Sequence, residues 1–179
     1  MYFTDIVVRT GSAFETLADT FGGIVGYTLA DSMSGGVALR NHLAPFRAAR
    51  GARLYRGAVG GLIHARGVIE ALVEGRIDVG PLDSYYHDLL RRNEPALAQK
   101  VRIVDSTEAM PIPPLVATTP LTPGELARIR SALQEATRTP ELAAVTERLL
   151  LAGFVSPDPA DYDVLAAISL RAIPPFEEL

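Results

Sequence analysis

Apolar positions in the first hundred residues fall into short β-branched runs, separated by stretches with helical spacing. Ile6-Val7-Val8-Arg9, Ile24 to Leu29, Arg53 to Val59, Ile77 to Gly80 and Val101 to Val104 read as strands. A short helix is predicted over Ala13 to Ala18, with Ser12 as cap and Phe14 and Leu17 on one face. A second runs from about Gly35 to Phe46, carrying Val37, Leu39, His42 and Leu43. A third runs from about Leu62 to Glu74. Its apolar face is Val68, Ile69, Leu72 and Val73, and Gly75 closes it. Pro81-Leu82-Asp83-Ser84 reads as a loop, and a helix starts at Tyr85 with Asp83 or Ser84 as cap.

The alternation of strand and helix over residues 24–104 predicts a parallel or mixed sheet with helices on its faces. Ligands of such sheets bind beyond the carboxyl ends of the strands. Three segments fall there and are expected to converge: Asp31 to Gly36, Gly60 to Arg66 and Pro81 to Tyr86.

The pattern then changes. Met110-Pro111-Ile112-Pro113-Pro114 excludes helix and central strand, and reads as a connector. Leu115-Val116-Ala117 is a short apolar strand candidate. Thr122-Pro123-Gly124-Glu125 is a capping box with proline at the first helical position, opening a helix to about Ala136 with Leu126, Ile129 and Leu133 on one face. Pro140 opens a helix to about Ala152, and Ser156-Pro157-Asp158-Pro159 opens a last one to about Arg171. Pro174 to Leu179 reads as a loose tail.

Composition narrows the function. The 179 residues, 48% hydrophobic and 21% charged, suffice for one globular domain or two small lobes. A formal net charge of -4 and no basic run longer than Arg91-Arg92 argue against nucleic acid. Cysteine is absent, which excludes disulfides, thiolate metal sites and cysteine nucleophiles. No basic region followed by an apolar one opens the chain, so no signal peptide is expected, and as given the chain would stay in the cytoplasm. No phosphate-loop or dinucleotide fingerprint occurs, and no cofactor or metal is expected.

The most informative stretch is Gly26 to Gly36, read as strand, polar turn and helix start. A helix N-terminus carries unpaired N–H groups and partial positive charge, which favour anions. Ser32 and Ser34 add hydroxyl donors, and Gly35 and Gly36 let a ligand approach the backbone. Capping by Asp31, Ser32 or Ser34 accounts for the same residues without a ligand.

Several motifs together resemble one family. They are Tyr2-x-Thr4-Asp5 with Val7-Val8, Leu17-Ala18-Asp19, Gly26-Tyr27-Thr28, Asp31-Ser32-Met33-Ser34-Gly35-Gly36, Ala71-x-x-x-Gly75-x-Ile77-Asp78-Val79, Leu82-Asp83-Ser84 and Ile112-Pro113-Pro114-Leu115-Val116. The chain resembles the phosphate-, phosphite- and phosphonate-binding subunits of bacterial ABC importers, which have the two-lobed type II periplasmic binding fold. The resemblance covers nearly the whole chain but only the C-terminal part of that family, so an N-terminal half-lobe is expected to be missing. It implies an α/β protein with one complete three-layer lobe at residues 10–106. Residues 1–9 and 107–179 would be hinge strands and helices of an incomplete first lobe.

By the same resemblance, Ser32 and Ser34 donate to the oxygens of a small oxyanion, at a turn that includes Met33 and Gly35. Met33 departs from the hydroxyl residue common there. His64 stands beside the position where members carry a histidine, and Asp83, Ser84 and Tyr85 match a second ligand-side loop. An apolar residue near Pro113 replaces the acid that serves an amine, which disfavours aminoalkyl phosphonates. The implied partners are a small anion and a membrane permease, and the implied place is the periplasm. A homodimer or a complementing N-terminal chain would cover the exposed half-lobe.

Each residue also has a plainer reading. Asp83 and Ser84 cap a helix, and Asp83 would repel an anion unless it orients a donor or meets a cation. Of Tyr85 and Tyr86, one is expected in the core and one in the cleft, and Tyr27 in the core. Arg66 is either a cation for the anion or part of a solvated face. His64 is either a cap or a contact. His42 and His87 have no carboxylate or histidine partner at metal-ligand spacing, and read as structural or exposed. The rival function is a serine hydrolase with Ser34, His64 and Asp83 as triad. Against it, the first glycine of the nucleophile elbow is missing and the triad order differs. A third reading is a non-binding remnant that pairs with another chain.

Overall fold

The structure, a computed structural model, describes residues 1–169, 171 and 174–179. It divides into two compact units, Met1–Met110 with Val164–Leu179, and Pro111–Asp163.

The first unit is built on β1 (Thr4–Arg9), whose first five residues are all buried. Both edges of β1 are antiparallel partners: β4 (Gly80–Asp83) pairs with it from Thr4 opposite Asp83, and β5 (Val101–Ser106) from Arg9 opposite Val101. The parallel pair β2 (Ile24–Gly26) and β3 (Gly57–Val59) joins on through Val79, which accepts from the Gly26 N–H at 2.8 Å. The arrangement is therefore mixed, and β1 is the middle strand of its antiparallel part. Residues 1–9, expected as hinge strand of the incomplete first lobe, fall within this compact unit, where the β-branched run Ile6-Val7-Val8 is buried on both faces.

Strand alternation sends Ile6 and Val8 to one layer and Val7 to the other. The first layer holds α1 (Ala38–Arg50), with Leu39 and Leu43 against Leu54, Phe176 and Leu179. The second holds α2 (Ala65–Val73), α3 (Ser84–Asn93) and the short α4 (Pro95–Ala98), with Val68, Ile69, Leu72, Leu90 and Ala98 around Val7. This is the expected three-layer lobe.

Several local expectations are corrected. No helix forms over Ala13 to Ala18, because the Asp19 carboxylate accepts from the Glu15 and Thr16 N–H groups at 3.0 and 2.7 Å and offers them a turn instead. Pro81-Leu82-Asp83 is strand, not loop, because β1 supplies an edge for it. Only Gly57–Val59 of the Arg53 to Val59 run is strand. Leu54 and Tyr55 direct their N–H groups to the Leu179 carbonyl. The tail is not loose: Phe176 and Leu179 are fully buried. The helix expected to end at Phe46 runs on to Arg50, where Gly51 at φ 66° closes it.

The second unit carries α5 (Pro123–Ala136) and α6 (Ala143–Arg148). The capping box forms as expected: the Thr122 hydroxyl accepts from Glu125 N–H at 3.3 Å, and the Glu125 carboxylate accepts from Thr122 N–H at 2.8 Å. Leu115 and Val116 are exposed coil rather than strand. The Pro140 helix ends at Arg148, short of Ala152, and Leu150 turns to φ 53°. No side chain of residues 111–163 is buried. The last helix is α7 (Asp163–Ser169), and its expected end includes Leu170, outside the described residues.

Candidate functional site

Thr28, Ser32, Ser34, Gly35, Ile63, His64, Ala65, Pro81, Asp83, Tyr85, Tyr86 and Leu89 line one cleft of about 330 Å³ in the first unit. The three segments expected to converge there do so. Each comes from the end of a strand or the start of a helix, where backbone donors are free of the ladder.

The first wall is the turn Met33–Val37, a single wide π turn that runs directly into α1. Ser32 caps it: its hydroxyl accepts from Gly35 N–H at 3.2 Å, and its carbonyl accepts from the N–H groups of Gly36 and Val37, both at 2.9 Å. The first N–H groups of the turn, on Met33 and Ser34, have no earlier carbonyl within the turn to bond and carry the positive end of the helix dipole. Close packing requires both glycines. A Cβ on Gly35 would stand 1.7 Å from the Thr28 hydroxyl, and one on Gly36 would stand 2.3 Å from the Leu29 carbonyl oxygen. Beneath the turn, the Thr4 hydroxyl donates to the Ser34 carbonyl at 2.9 Å. Burial, and then the nearby Asp83 carboxylate, hold the Tyr2 hydroxyl above its ordinary pKa, partly offset by Ser34.

The second wall is the start of α2. His64 caps it, Nδ1 accepting from Gly67 N–H at 3.1 Å. That contact makes Nδ1 the acceptor, so the proton of a neutral ring sits on Nε2 and the ring is a donor to anything beyond it. Ile63 adopts φ 67° and is exposed in the cleft. A β-branched residue in the left-handed region costs about 1–2 kcal/mol, and such strain gathers at functional sites. The third wall is the start of α3, where the Asp83 carboxylate accepts from Tyr86 N–H at 2.9 Å.

The expected site residues separate on this geometry. Ser32, Ser34, Gly35, His64, Asp83 and Tyr85 meet in the cleft. Three do not line it. Met33 packs against Tyr2, Val37, Met110 and Ile168. The Ser84 hydroxyl is buried and accepts from Phe3 N–H at 3.1 Å. Arg66 donates to both oxygens of Glu94, at 2.6 and 2.8 Å. Tyr85 and Tyr86 both face the cleft, correcting the expected division between core and cleft, because the cleft spans the whole first turn of α3. Tyr27 is part-buried and stacked on Phe176, with centroids 4.1 Å apart. His42 and His87 do have carboxylate partners, but distant in sequence: Asp105 at 2.9 Å and Asp5 at 2.7 Å.

Sequence reading assigned no site role to Thr28 and Leu89 in the cleft or to Tyr2 and Thr4 beneath it, and held Ile63, Ala65 and Pro81 only as members of the converging segments. Thr28, Tyr2 and Thr4 had a signal, their places in the Gly-Tyr-Thr and Tyr-x-Thr-Asp motifs, and Leu89 had none. A serine hydrolase would need Asp83 to hold the Nδ1–H of His64. Here Nδ1 accepts a backbone N–H and Asp83 caps α3, so the three residues share a cleft without forming a triad. Among the described residues, no group of three or more His, Cys, Asp or Glu is placed to hold a metal ion, and no helix is long and apolar enough to cross a membrane.

A mixed three-layer lobe with an open helix-start turn at the mouth of its sheet is the fold of the type II periplasmic binding class. The chain belongs to the phosphonate-binding, periplasmic substrate-binding protein family of ABC transporters, which matches residues 1–162. Solved structures agree on the fold. A binding-protein component of an ABC phosphonate transporter from Pseudomonas aeruginosa superposes with TM-score 0.76 at 16% identity, over 94% of this chain and 57% of that one. PhnD1 from Prochlorococcus marinus, in complex with methylphosphonate, gives 0.71 at 11% identity, over 94% and 65%. A Xanthomonas citri protein bound to ATP gives 0.60 at 23% identity, over 94% and 64%. The chain thus spans less than two thirds of these structures. A search of curated proteins returns no match.

Proposed function

We propose that the first unit is the anion-holding lobe of an ABC importer's substrate-binding component, and that its ligand is a small phosphorus oxyanion such as a phosphonate, phosphite or phosphate. The observation that carries this is convergence: the capped π turn with Ser32 and Ser34, and the Nε2–H side of His64, open on one cleft. A tetrahedral oxyanion presents several acceptors to such a donor set, and the helix start adds charge without a counter-ion. Asp83 fits at the edge, as a cap that also faces any protonated or cationic part of the ligand. Two proteins of like fold hold methylphosphonate and ATP, both of which carry phosphorus oxyanions. The ligand would then be handed to a membrane permease, in the periplasm.

Thermal shift and calorimetry with methylphosphonate, phosphite, phosphate and sulfate test this. A phosphorus oxyanion is expected to raise Tm by linkage, and Ser34→Ala to weaken its Kd by about tenfold, the value of one hydrogen bond to a charged group. No shift with any anion would remove the proposal.

The second unit supports a further part of this proposal. Leu126, Ile129 and Leu133 form one stripe on α5, and Leu142, Val145 and Leu149 another along α6, yet none is buried. Two amphipathic helices without a core do not stay folded on stripe contacts alone. We infer that residues 111–163 belong to the first lobe and are covered by a complementing segment corresponding to the remaining length of the structural relatives. The 179-residue chain alone is expected to bind a hydrophobic dye and to exchange the amides of 126–149 rapidly. A monomer with neither property would sink the idea. A dimer with protected amides would instead name a second copy as the cover.

A further inference from the structure

Four consecutive residues, two ahead of β1 and its first two, lie against the elements that carry the cleft walls. Tyr2 lies beside Ser34. Phe3 exchanges two hydrogen bonds with Ser84, its N–H to the hydroxyl at 3.1 Å and its carbonyl from the Ser84 N–H at 3.0 Å. The Thr4 hydroxyl donates to the Ser34 carbonyl at 2.9 Å. Asp5 turns to the opposite face and accepts from His87 Nδ1 at 2.7 Å and from the Ser106 hydroxyl at 3.0 Å. The Thr4 and Asp5 side chains therefore take opposite faces, as the two-residue period of a strand requires, while Phe3 reaches α3 through its main chain.

The Asp5–His87 contact is unusual in its setting. The Asp5 and His87 side chains are 3% and 1% exposed. A buried carboxylate is kept only where its oxygens are satisfied, and here both are. His87 lies two residues beyond Tyr85 and two before Leu89, both in the cleft, but its own ring points inward. The pair touches no part of the cleft. It fixes the height and rotation of the helix that does. On the other face, Thr4 fixes the turn that presents Ser34.

We propose that Thr4 and the Asp5–His87 pair are positioning residues that hold the anion turn and the tyrosine wall in register through the single strand β1. Disturbing one wall's anchor then disturbs the other wall. Such coupling travels only because β1 is central, buried and hydrogen-bonded along both edges.

Amide hydrogen exchange on the ligand-free chain tests the coupling. Thr4→Val, which keeps shape and removes the donor, is expected to speed exchange at Tyr86 and His87 on α3. His87→Leu is expected to speed it at Gly35, Gly36 and Val37, across the strand. Val101→Ala, at the far end of β5, serves as a destabilised control and should do neither. Should His87→Leu fail to fold, His87→Gln carries that arm, since its amide cannot reach the Nδ1 position. The second arm rests on the proposed anion site. Kd for methylphosphonate should weaken about tenfold in Thr4→Val and in His87→Leu, be restored to within about twofold by Thr4→Ser and by His87→Asn, and stay unchanged in Val101→Ala. Exchange that rises only on the altered residue's own wall, or equally in the control, overturns the proposal. Coupled exchange in a chain that binds no anion would leave the brace standing and remove the anion site instead.

Discussion

Gly36→Ala is expected to collapse the anion turn and to lower the stability of the first unit by about 2–3 kcal/mol, the cost of forcing a methyl group into a packed site. The alanine Cβ would meet the Leu29 carbonyl oxygen at 2.3 Å, the Ala30 oxygen at 2.8 Å and the Ala30 carbonyl carbon at 3.0 Å. All three are backbone atoms, so no rotamer relieves the clash. Either the segment 29–30 moves out or the turn moves away from it, and both displace Ser32 and Ser34. Gly35→Ala makes a useful contrast, because its closest neighbour is the Thr28 hydroxyl, a side-chain atom, at 1.7 Å. Gly35→Ala should be partly rescued by Thr28→Ala, whereas no single side-chain change rescues Gly36→Ala. Urea midpoints and anion titrations of the variants decide it. An unchanged midpoint for Gly36→Ala would mean that the close approach of segment 29–30 to the turn is not required.

Phe176→Ala should cost more, about 3–5 kcal/mol, the range for truncating a buried aromatic residue. Phe176 is 2% exposed and stacks on Tyr27 at 4.1 Å, with its ring planes within 7° of parallel. The Arg40 guanidinium lies 5.7 Å from the same ring, and the Tyr27 hydroxyl donates to Glu177 at 3.2 Å. Leu179 fills the layer behind, with its carbonyl accepting from Leu54 and Tyr55. A whole domain has only about 5–15 kcal/mol of stability, so this loss would leave the first unit near its unfolding threshold at 37 °C. Tyr27 immediately precedes Thr28 of the cleft, and its ring covers Gly60, so Phe176→Ala should also weaken anion binding. Thermal unfolding with and without methylphosphonate measures both. A loss below about 1 kcal/mol would show that the tail only rests on the surface.

The two changes differ in how far the sequence announced them. Gly35-Gly36 after Ser32-x-Ser34 is a local signal: a helix start with small residues has few meanings, and the turn formed where expected. Phe176 had no such signal. It follows two prolines in a polar, acidic tail with no periodicity, and its burial depends on a slot that Leu54, Tyr27 and Leu43 create from elsewhere in the chain.

The same division runs through the site. Ser32, Ser34 and Gly35 were legible because capping, dipole and close approach are properties of a few neighbouring residues. Asp83 and His64 were legible as caps, and both are caps, but their common cleft depends on where β4 and α2 stand. Asp5 was invisible as a functional residue. In sequence it is one polar position ahead of an apolar run, and its partner His87 lies 82 residues away. Arg66 looked equally available for an anion, until Glu94, 28 residues on, took its guanidinium.

By itself, the sequence determined the alternation of strands and helices, the three loops at one end of the sheet, the capping box of α5 and the anion-suited turn. All of these follow from short-range rules of spacing, capping and backbone freedom. Only the tertiary structure decided that β1 is paired along both edges, that Thr4 and Asp5 on its alternate faces hold different elements of the lobe, and that both tyrosines of α3 line the cleft. Those facts depend on which strand edges meet and which partners lie across them, and contacts between distant residues leave no period in the chain.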